Sequence, residues 1–246
     1  MELNKNTVFI TGGASGIGLA LAGEFLKSEN TVIICGRNPD KLELAKERYP
    51  SLYTIRCDVS KMSEVHQTLE EIKSEFDGLN ILVNNAGIQY IFDFYEDENS
   101  IEKIDKEIDI NFRAIVHLSK LFLPILNKAK EAAIINVSSF LGIVPKKSAP
   151  GYCATKAALH AFSKSLRYQL EDSSVKVFEI ITPLVDTEMT RGREDDLKKI
   201  TPESLAKEVF RSLKSDKLEI RPGVTGLVLF LNRFFPSLTE KIVKKR

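Results

Sequence analysis

Apolar residues recur along this chain in two alternating patterns, as short continuous runs and as longer segments with helical spacing. Continuous runs predict strands that helices cover on both faces of a parallel sheet. The runs are NTVFIT, TVIIC, LYTIRC, NILVNN, AAIINVS, VKVFEII and the short LEIRP. Amphipathic segments such as IGLALAGEFLKSE, PDKLELAKERY and SEVHQTLEEIKSEF lie between the strands, and longer ones cover about 100–127 and 152–171.

This alternation of strand and helix indicates repeated βαβ units, whose right-handed crossovers build a doubly wound sheet. We therefore predict an α/β fold with a parallel sheet of about seven strands and helices on both faces. No Pro-, Gly- or Ser-rich linker interrupts the pattern, so residues 1–246 are interpreted as one domain. Residues 223–246 form an extension beyond the last predicted strand.

The segment 187–201, TEMTRGREDDLKKIT, differs from the rest because it is dense in charge and follows the end of the sixth strand. Ligands of open α/β sheets bind outside the carboxyl ends of the strands. A charged segment that leaves this edge is either a solvated loop or a lid over a site. We favour a substrate lid.

Composition and charge exclude several classes of function. The chain is 43% hydrophobic and 28% charged, as in a soluble globular protein, and its net charge of +1 gives no reason to expect a nucleic-acid partner. The start, MELNKNTVFI, lacks the features of a secretory signal, and no apolar run approaches the roughly 18–20 residues that span a membrane. Three cysteines without C-x-x-C spacing suit a reducing compartment, so we expect a cytoplasmic protein. The scattered histidines indicate no metal site.

A glycine-rich turn lies between the first strand and its helix, in VFITGGASGIGLALA. Gly12, Gly16 and Gly18 have the spacing that permits a tight turn, close approach of a pyrophosphate, and close packing of helix on strand. The start of the helix also offers free N–H groups and a partial positive charge to phosphates. Because this turn follows a strand and opens a helix, it predicts a dinucleotide site.

The end of the second strand, IICGRNPDK, predicts which dinucleotide is preferred. Folds that prefer NAD usually carry Asp or Glu here, which binds the ribose 2′-hydroxyl. This chain has Gly36 followed by Arg37. An acid would repel a 2′-phosphate, whereas a guanidinium binds phosphate through a planar set of donors. We therefore expect NADP(H) to be preferred over NAD(H).

The segment GYCATKAAL, residues 151–159, contains Tyr152 and Lys156, which share one face of a helix. A nearby ammonium favours phenolate over phenol and brings the tyrosine pKa, ordinarily about 10, closer to working pH. Upstream, IINVSSFLG ends a strand with Ser138 and Ser139. A hydroxyl there can hydrogen-bond a substrate carbonyl oxygen as charge develops on it. The order and spacing of these motifs indicate a catalytic pair.

Together these motifs resemble the short-chain dehydrogenase/reductase family, with its Rossmann-like fold, over essentially the whole chain. TGGASGIG is similar to the cofactor turn of that family, CDV to the site that meets the adenine, and NNAG, residues 84–87, to the segment that supports the sheet beside the cofactor. The resemblance and the residue chemistry together imply a cofactor site of Gly12, Ser15, Gly16, Ile17, Gly18, Arg37, Asn38, Asp58, Val59, Asn85, Ala86, Gly87, Tyr152, Lys156, Pro183, Val185 and Thr187.

The same resemblance implies a catalytic set of Asn111, Ser139, Tyr152 and Lys156. The motif INF supplies Asn111, which in the family holds a water that connects to the lysine. Ser139 matches the family serine better than Ser138. In the family, the tyrosine gives or takes the proton, the lysine also binds the nicotinamide ribose, and the serine steadies the substrate. No metal takes part.

The chain departs from the family pattern after the sixth strand. The family usually has Pro-Gly, two further residues and Thr, whereas TPLVDT keeps Pro183 and Thr187 and has Leu184 at the glycine position. We expect Leu184 to narrow the substrate pocket. The other pocket candidates are mostly apolar, which predicts a ketone or aldehyde with an apolar side: Gln89, Tyr90, Phe140, Leu141, Val185 and Met189.

Segments such as NNAGIQ, YCATKAA and PLVDT are most similar to the DltE-like branch of the family. The resemblance implies an NADP(H)-dependent oxidoreductase that interconverts a carbonyl and an alcohol. A sugar-nucleotide epimerase or dehydratase is disfavoured, because the chain lacks a sizeable C-terminal substrate domain. A nucleotide-binding redox-sensing protein is also disfavoured, because such proteins can lose the tyrosine or the lysine and this chain keeps both.

The family analogy also predicts partners. The helices around 101–127 and 152–171 are expected to pair with their copies in a homodimer or homotetramer. The C-terminal segment GLVLFLNRFFPSLTEKIVKKR has apolar residues broken by Arg233 and Pro236, and ends in basic residues. Packing over the substrate end or in a subunit contact is favoured over peripheral membrane association, because one short basic segment gives only weak anchoring.

Overall fold

The apolar runs form strands that join one parallel sheet. The computed structural model describes residues 1–192 and 199–244. Within those residues the strands are β1 (Thr7–Thr11), β2 (Thr31–Gly36), β3 (Tyr53–Arg56), β4 (Ile81–Asn84), β5 (Ala132–Ser139), β6 (Val175–Thr182) and β7 (Glu219–Ile220). Most residues of the central strands are buried, as expected when helices cover both faces.

Helices follow the strands in the predicted alternation. In chain order they are α1 (Gly16–Lys27), α2 (Pro39–Arg48), α3 (Met62–Glu75), α4 (Ser100–Ile108), α5 (Ala114–Leu126), α6 (Pro150–Gln169), α7 (Pro202–Lys214), α8 (Thr225–Phe234) and α9 (Pro236–Lys244). One core cluster packs α1 and α7 on one face of the sheet, where Phe25 meets Phe210 edge to face. A second cluster packs α3 and α5 on the other face, where Phe9 stacks on Phe122. The predicted doubly wound α/β fold is confirmed.

The strand order is β3-β2-β1-β4-β5-β6-β7, so the direction of winding reverses between β1 and β4. In a doubly wound sheet this switch point opens a crevice at the carboxyl ends of the strands, and ligands bind there. The glycine turn follows β1 and the NNAG segment follows β4. The topology therefore brings both motifs to one crevice.

Helix α6 begins earlier than the sequence pattern predicts. Pro150 occupies its first turn, where the missing N–H of proline costs little. Tyr152 consequently lies in the first turn of α6, close to the end of β5. The last strand is shorter than the run LEIRP, because only Glu219 and Ile220 pair with β6.

The predicted helix over 100–127 is divided by a π-helical segment, Asp109–Arg113, between α4 and α5. A π-helical turn inserts an extra residue into a helix and is frequent at functional sites. This one contains Asn111, whose side chain is fully buried. The irregular turn directs Asn111 towards the chain that follows β4, where it bonds the backbone of Ile88.

The segment predicted as a lid, 187–201, is described only at its two ends, because residues 193–198 lie outside the described residues. At its start Thr187 caps a 3₁₀ turn, Glu188–Thr190. Near its end Ile200 forms a bridge with Val185. The base of the segment is therefore held beside the carboxyl end of β6.

Helices α8 and α9 pack over the end of β5 and the 3₁₀ turn that follows it, Phe140–Gly142. Leu229 of α8 and Val243 of α9 join the cluster of Phe140 and Ile181. One face of the C-terminal segment thus lies against the carboxyl ends of β5 and β6. Among the described residues, no helix has the length and apolar character needed to cross a membrane.

Candidate functional site

The glycine turn after β1 lies against the chain that follows β4. Gly12 and Gly16 have left-handed backbone angles, with φ of 62° and 54°, which favour glycine. A Cβ on Gly12 would lie 2.9 Å from the Cα of Ala86, so a side chain there would displace the backbone. Asn85 Nδ2 donates to the carbonyls of Thr11 and Gly12, both at 3.0 Å, and fastens the turn in place.

The start of α1 fits a phosphate group. Gly18 lets the helix approach the sheet closely, since a Cβ there would lie 2.5 Å from Asn85 Nδ2. Ser15 precedes the helix without a side-chain cap, and the first turn contains no acidic residue. The backbone N–H groups of this turn therefore keep their donor capacity and partial positive charge for an anion. These features fit the pyrophosphate of a dinucleotide.

A cleft of about 1330 Å³ runs along the carboxyl ends of the strands. It joins many of the predicted cofactor residues with Tyr152 and Lys156 of the predicted catalytic set. The cofactor candidates in its wall are Gly12, Ser15, Gly16, Ile17, Arg37, Asn85, Ala86, Gly87 and Thr187. Pro183 and Val185 line a neighbouring pocket instead.

A recess at the far end of the cleft lies beside the ends of β2 and β3. It is lined by Gly12, Gly36, Arg37, Asp58 and Val59, among others. Arg37 is exposed, and no carboxylate among the described residues forms an ion pair with it. Asn38, a predicted cofactor residue, caps α2: its Oδ1 accepts from the N–H of Lys41 at 3.1 Å. The structure therefore gives Asn38 a role in starting the helix.

An ion pair that sequence reasoning missed crosses the cleft. Lys41 of α2 pairs with Glu188 of the 3₁₀ turn after β6, and both side chains line the cleft. The two residues lie far apart in sequence, and the doubly wound topology alone brings them together. Lys41 and its paired carboxylate lie at the end of the cleft where Arg37 lies.

Tyr152 and Lys156 lie on the inward face of α6 and are 8% and 4% exposed. Lys156 Nζ is 5.6 Å from the centre of the Tyr152 ring and donates to the carbonyl of Val137 at 2.8 Å. Burial lowers the pKa of Lys156 from 10.5 to about 8, and the carboxylate of Glu179 opposes that shift. Lys156 is therefore mostly an ammonium at neutral pH.

Asn111 is held by the backbone that follows β4. Its Oδ1 accepts from the N–H of Ile88 and its Nδ2 donates to the carbonyl of Ile88, both at 2.8 Å. Nδ2 also contacts Thr155 Oγ1 at 3.3 Å. A Cβ on Gly87 would lie 3.3 Å from Asn111 Oδ1 and 3.8 Å from Lys156 Nζ. A side chain at Gly87 would therefore press against the Asn111 amide, with the Lys156 ammonium close by.

A second pocket, of about 660 Å³, shares Tyr152 with the cleft. Ser139 supplies a hydroxyl to its wall, and this Oγ accepts from the N–H of Leu141 at 3.2 Å. A serine hydroxyl that accepts this bond can still donate one of its own. Most other lining residues are apolar, among them Ile17, a predicted cofactor residue, and Val243. The predicted substrate contacts in the wall are Gln89, Phe140, Leu141, Leu184, Val185 and Met189. Val243, from α9, was not predicted.

A buried carboxylate lies behind the face of α6 that carries Tyr152 and Lys156. Glu179 of β6 is 1% exposed, and it accepts hydrogen bonds from Ser138 Oγ and, at 2.9 Å, from His160 Nδ1. This hydrogen bond raises the pKa of His160. His160 follows Lys156 by one turn, so one carboxylate acts on both of these side chains. The only sequence signal was an acid inside the apolar run VKVFEII.

A second buried acid, Glu107 of α4, supports the loop after β4. Glu107 is fully buried, its Oε1 accepts from the N–H of Tyr90 at 2.7 Å, and burial raises its pKa. This contact fixes the loop that brings Gln89 to the second pocket. Tyr90, predicted as a pocket residue, lines the cofactor cleft.

Sequence comparison relates the chain to known oxidoreductases. The family model for short chain dehydrogenase matches residues 6–198. The uncharacterized oxidoreductase DltE of Bacillus subtilis is 45% identical over 224 residues, which are 89% of this chain and 89% of DltE. An uncharacterized oxidoreductase of Staphylococcus epidermidis is 33% identical, over 86% of this chain and 92% of that protein. The family resemblance predicted from the motifs is confirmed.

Solved structures share the fold at lower identity. A 3-ketoacyl-(acyl-carrier-protein) reductase from Brucella melitensis, complexed with NADH, has a TM-score of 0.81 at 24% identity and covers 89% of this chain and 98% of its own. A short chain dehydrogenase/reductase from Burkholderia phymatum, in complex with NAD, has a TM-score of 0.84 at 19% identity and covers 98% of both chains. The chain therefore belongs to the short-chain dehydrogenase/reductase family and, within it, is similar to the DltE-like oxidoreductases.

Proposed function

We propose that this oxidoreductase interconverts a carbonyl and an alcohol with NADP(H), and that Tyr152 is its acid and base. The observation that carries the proposal is the position of Tyr152, which lines both the cofactor cleft and the apolar pocket. A group that meets both compartments can exchange a proton with a substrate held beside a dinucleotide. Lys156 supports this role from the next turn of α6.

Residues of the cleft would hold the cofactor. The N–H groups at the start of α1 would bind the pyrophosphate, Asp58 and Val59 would meet the adenine, and Lys156 would bind the nicotinamide ribose. When bound, the nicotinamide supplies or accepts the hydride. The glycine turn, the uncapped start of α1 and the lining of the cleft support this assignment.

The side chains of the pocket handle the proton. Tyr152 Oη donates its proton to the substrate oxygen in reduction and takes it back in oxidation. Ser139 Oγ donates a hydrogen bond to the same oxygen as charge develops on it. The Lys156 ammonium stabilises the phenolate that is left behind. A water held by Asn111, as the family resemblance implies, would connect to Lys156 and pass the proton onward.

We assign NADP(H) rather than NAD(H) because of the charge at the far end of the cleft. Arg37 follows β2 at the point where an acid would favour NAD, and it has no ion-pair partner among the described residues. Lys41 lies at the same end but is paired with Glu188, so Arg37 carries the assignment. The NADH and NAD bound by the two structural relatives concern those proteins and leave this preference to be measured.

The pocket supports a substrate with an apolar side, a ketone or aldehyde in the oxidised form. Phe140, Leu184 and Met189 give the wall its apolar character, and Gln89 supplies an amide. Leu184 stands where the family usually has glycine, so its side chain takes up space that other members leave open. Bulky groups are expected on the side of the carbonyl that points away from Leu184.

The proposal is tested with a panel of ketones and aldehydes, following the loss of NADPH absorbance. Tyr152→Phe should lower turnover of any accepted carbonyl by at least about a hundredfold, since a positioned acid contributes roughly 10²–10⁴ to the rate. Its NADPH affinity should stay nearly unchanged, because the hydroxyl is absent but the dinucleotide contacts remain. If Tyr152→Phe still binds NADPH but no longer turns over a carbonyl, the variant is folded and its defect lies in the chemical step.

A matched control is Tyr168→Phe, which removes an exposed hydroxyl from the same helix. It should change neither turnover nor NADPH affinity. Undiminished turnover in Tyr152→Phe would rule out the proposed acid. NADPH binding without turnover across the whole panel would favour a sensing role.

A further inference from the structure

The two C-terminal helices, α8 and α9, each have one face packed against the protein and one face exposed to solvent. Their inner face packs over the substrate pocket through Leu229 and Val243. Their outer face carries large apolar side chains that are exposed to solvent, most of them by more than half. We call this set the outer face: Val224, Leu227, Phe230, Phe234, Phe235, Leu238 and Ile242.

The spacing of these residues makes the outer face continuous. Leu227, Phe230 and Phe234 follow one stripe of α8, and the two phenylalanine rings lie 4.9 Å apart. Leu238 and Ile242 are one turn apart on α9. Single exposed apolar residues are ordinary on a protein surface, whereas a contiguous patch on adjacent helices marks an interaction surface.

Basic residues border the outer face. Arg233, Lys241 and Lys244 are exposed, and no carboxylate among the described residues forms an ion pair with them. Glu240 is the single acid of α8 and α9. Apolar side chains bordered by cations are complementary to a surface that is apolar below and anionic above.

We propose that the outer face docks onto an anionic lipid bilayer, with α8 and α9 lying in the plane of the interface. Its apolar side chains enter the boundary of the acyl chains and its cations contact the lipid headgroups. A second copy of the chain fits this surface less well. A two-fold interface would bring the cations of the two outer faces close to one another. Binding through two short amphipathic helices is reversible and depends on salt.

The experiment is flotation of the full chain with vesicles of phosphatidylcholine containing phosphatidylglycerol, and with vesicles of phosphatidylcholine alone. The protein should float with the anionic vesicles, and the bound fraction should fall as salt is raised. Phe230→Ser with Phe234→Ser should weaken partition by at least about tenfold. Lys241→Glu with Lys244→Glu should weaken it by about fivefold or more per residue changed.

Matched controls change equally exposed residues elsewhere. Phe94→Ser with Tyr95→Ser removes exposed aromatic rings from the loop after β4, and Lys128→Glu with Lys130→Glu reverses exposed charges after α5. Both should float like the unmodified protein. Thermal unfolding and NADPH binding show that each variant is folded, and neither readout depends on turnover.

Three results would overturn the proposal. One is equal flotation with neutral and anionic vesicles, or with neither. Another is loss of flotation in the controls to the same extent as in the outer-face variants. The third is a smaller sedimenting species for Phe230→Ser with Phe234→Ser in the absence of lipid, which would identify a second copy of the chain as the occupant.

Discussion

At the scale of single residues, the buried ammonium of Lys156 makes the stability of the fold depend on pH. The pKa of Lys156 is about 8 in the folded chain, against an ordinary value of 10.5, because burial disfavours the charge. Between these two pH values the unfolded chain holds more protons than the folded chain. The free energy of unfolding therefore rises with pH across this window, and below it the cost of burying the charge is fully present.

Lys156→Met removes this dependence. From pH 8 to 10.5 the unmodified protein should gain up to about 3 kcal/mol of stability relative to the variant. Urea unfolding at several pH values measures the difference. Lys164→Met, an exposed lysine on the same helix, should show no such trend. The proposed lowering of the Lys156 pKa would be contradicted if the difference in free energy of unfolding between the unmodified protein and Lys156→Met did not change with pH.

Arg37 is expected to decide cofactor choice, because NADPH differs from NADH only by the 2′-phosphate. Hydrogen bonds to charged groups contribute about 1.5–3 kcal/mol, so Arg37→Ala should weaken NADPH binding by roughly ten- to a hundredfold. NADH affinity should change little. Calorimetry measures the affinities for NADPH and NADH. The control is Arg56→Ala, which removes a nearby exposed cation at the end of β3.

Gly36→Asp should shift the preference further than Arg37→Ala. It adds repulsion of the phosphate and an acceptor for the 2′-hydroxyl. Equal affinities of the unmodified protein for NADPH and NADH would show that Arg37 is only a solvated loop residue.

At the scale of secondary-structure elements, the 3₁₀ turn Phe140–Gly142 joins Ser139 to the helix that carries Tyr152. Gly142 lies directly against α6, where a Cβ would be 2.6 Å from the carbonyl carbon of Lys156 and 2.7 Å from the nitrogen of Ala157. Both neighbours are backbone atoms that cannot move aside alone. The glycine therefore sets the distance between the turn and the helix.

Gly142→Ala should destabilise the protein by about 1–3 kcal/mol, because the added methyl group overpacks this contact. Gly226→Ala is the matched control, since Gly226 lies in α8 with nothing within 4 Å of its added Cβ. That change should be neutral or stabilise the helix by up to about 1 kcal/mol. Urea unfolding measures the free energy of unfolding of the two variants. Equal stabilities would mean that the turn can move away from α6.

Periodicity predicted these elements well where burial is continuous along the chain. The runs that became β1, β2, β4, β5 and β6 are apolar on both faces, so their assignment needed no knowledge of partners. The start of α6 and the π-helical segment around Asn111 were not predicted. Both depend on local hydrogen bonding that apolar spacing does not record.

The parts of the site that lie within short sequence motifs could be predicted. The glycine turn, the serine and the Tyr152–Lys156 pair lie within short segments, and their roles stay predictions until they are measured. Lys41 with Glu188, and Glu179 with His160, were missed because each pair joins separate elements. A lysine, a glutamate or a histidine at such positions has no local pattern that distinguishes it from a solvated residue.

At the scale of the whole molecule, the family analogy predicts that α4, α5 and α6 pair with their copies in a second subunit. The outer side of α6 carries exposed small residues, Ala154, Ala157 and Ala161, which allow another helix to approach closely. Ala161→Glu should therefore convert a dimer into monomers in sedimentation velocity. Leu44→Glu, at an exposed position on α2, should not. A monomeric unmodified protein at micromolar concentration would contradict the prediction.

Ile242 and Val243 are neighbours in α9 with different surroundings. Ile242 belongs to the outer face, and Val243 forms part of the wall of the apolar pocket beside Tyr152. A ligand in the pocket and a bilayer on the outside therefore act on the same short helix. Where one of them changes the affinity of the other, thermodynamic linkage requires the reverse effect to have the same factor. Measuring how a pocket ligand alters vesicle binding thus also gives the ratio between substrate affinity in bulk water and substrate affinity at the interface.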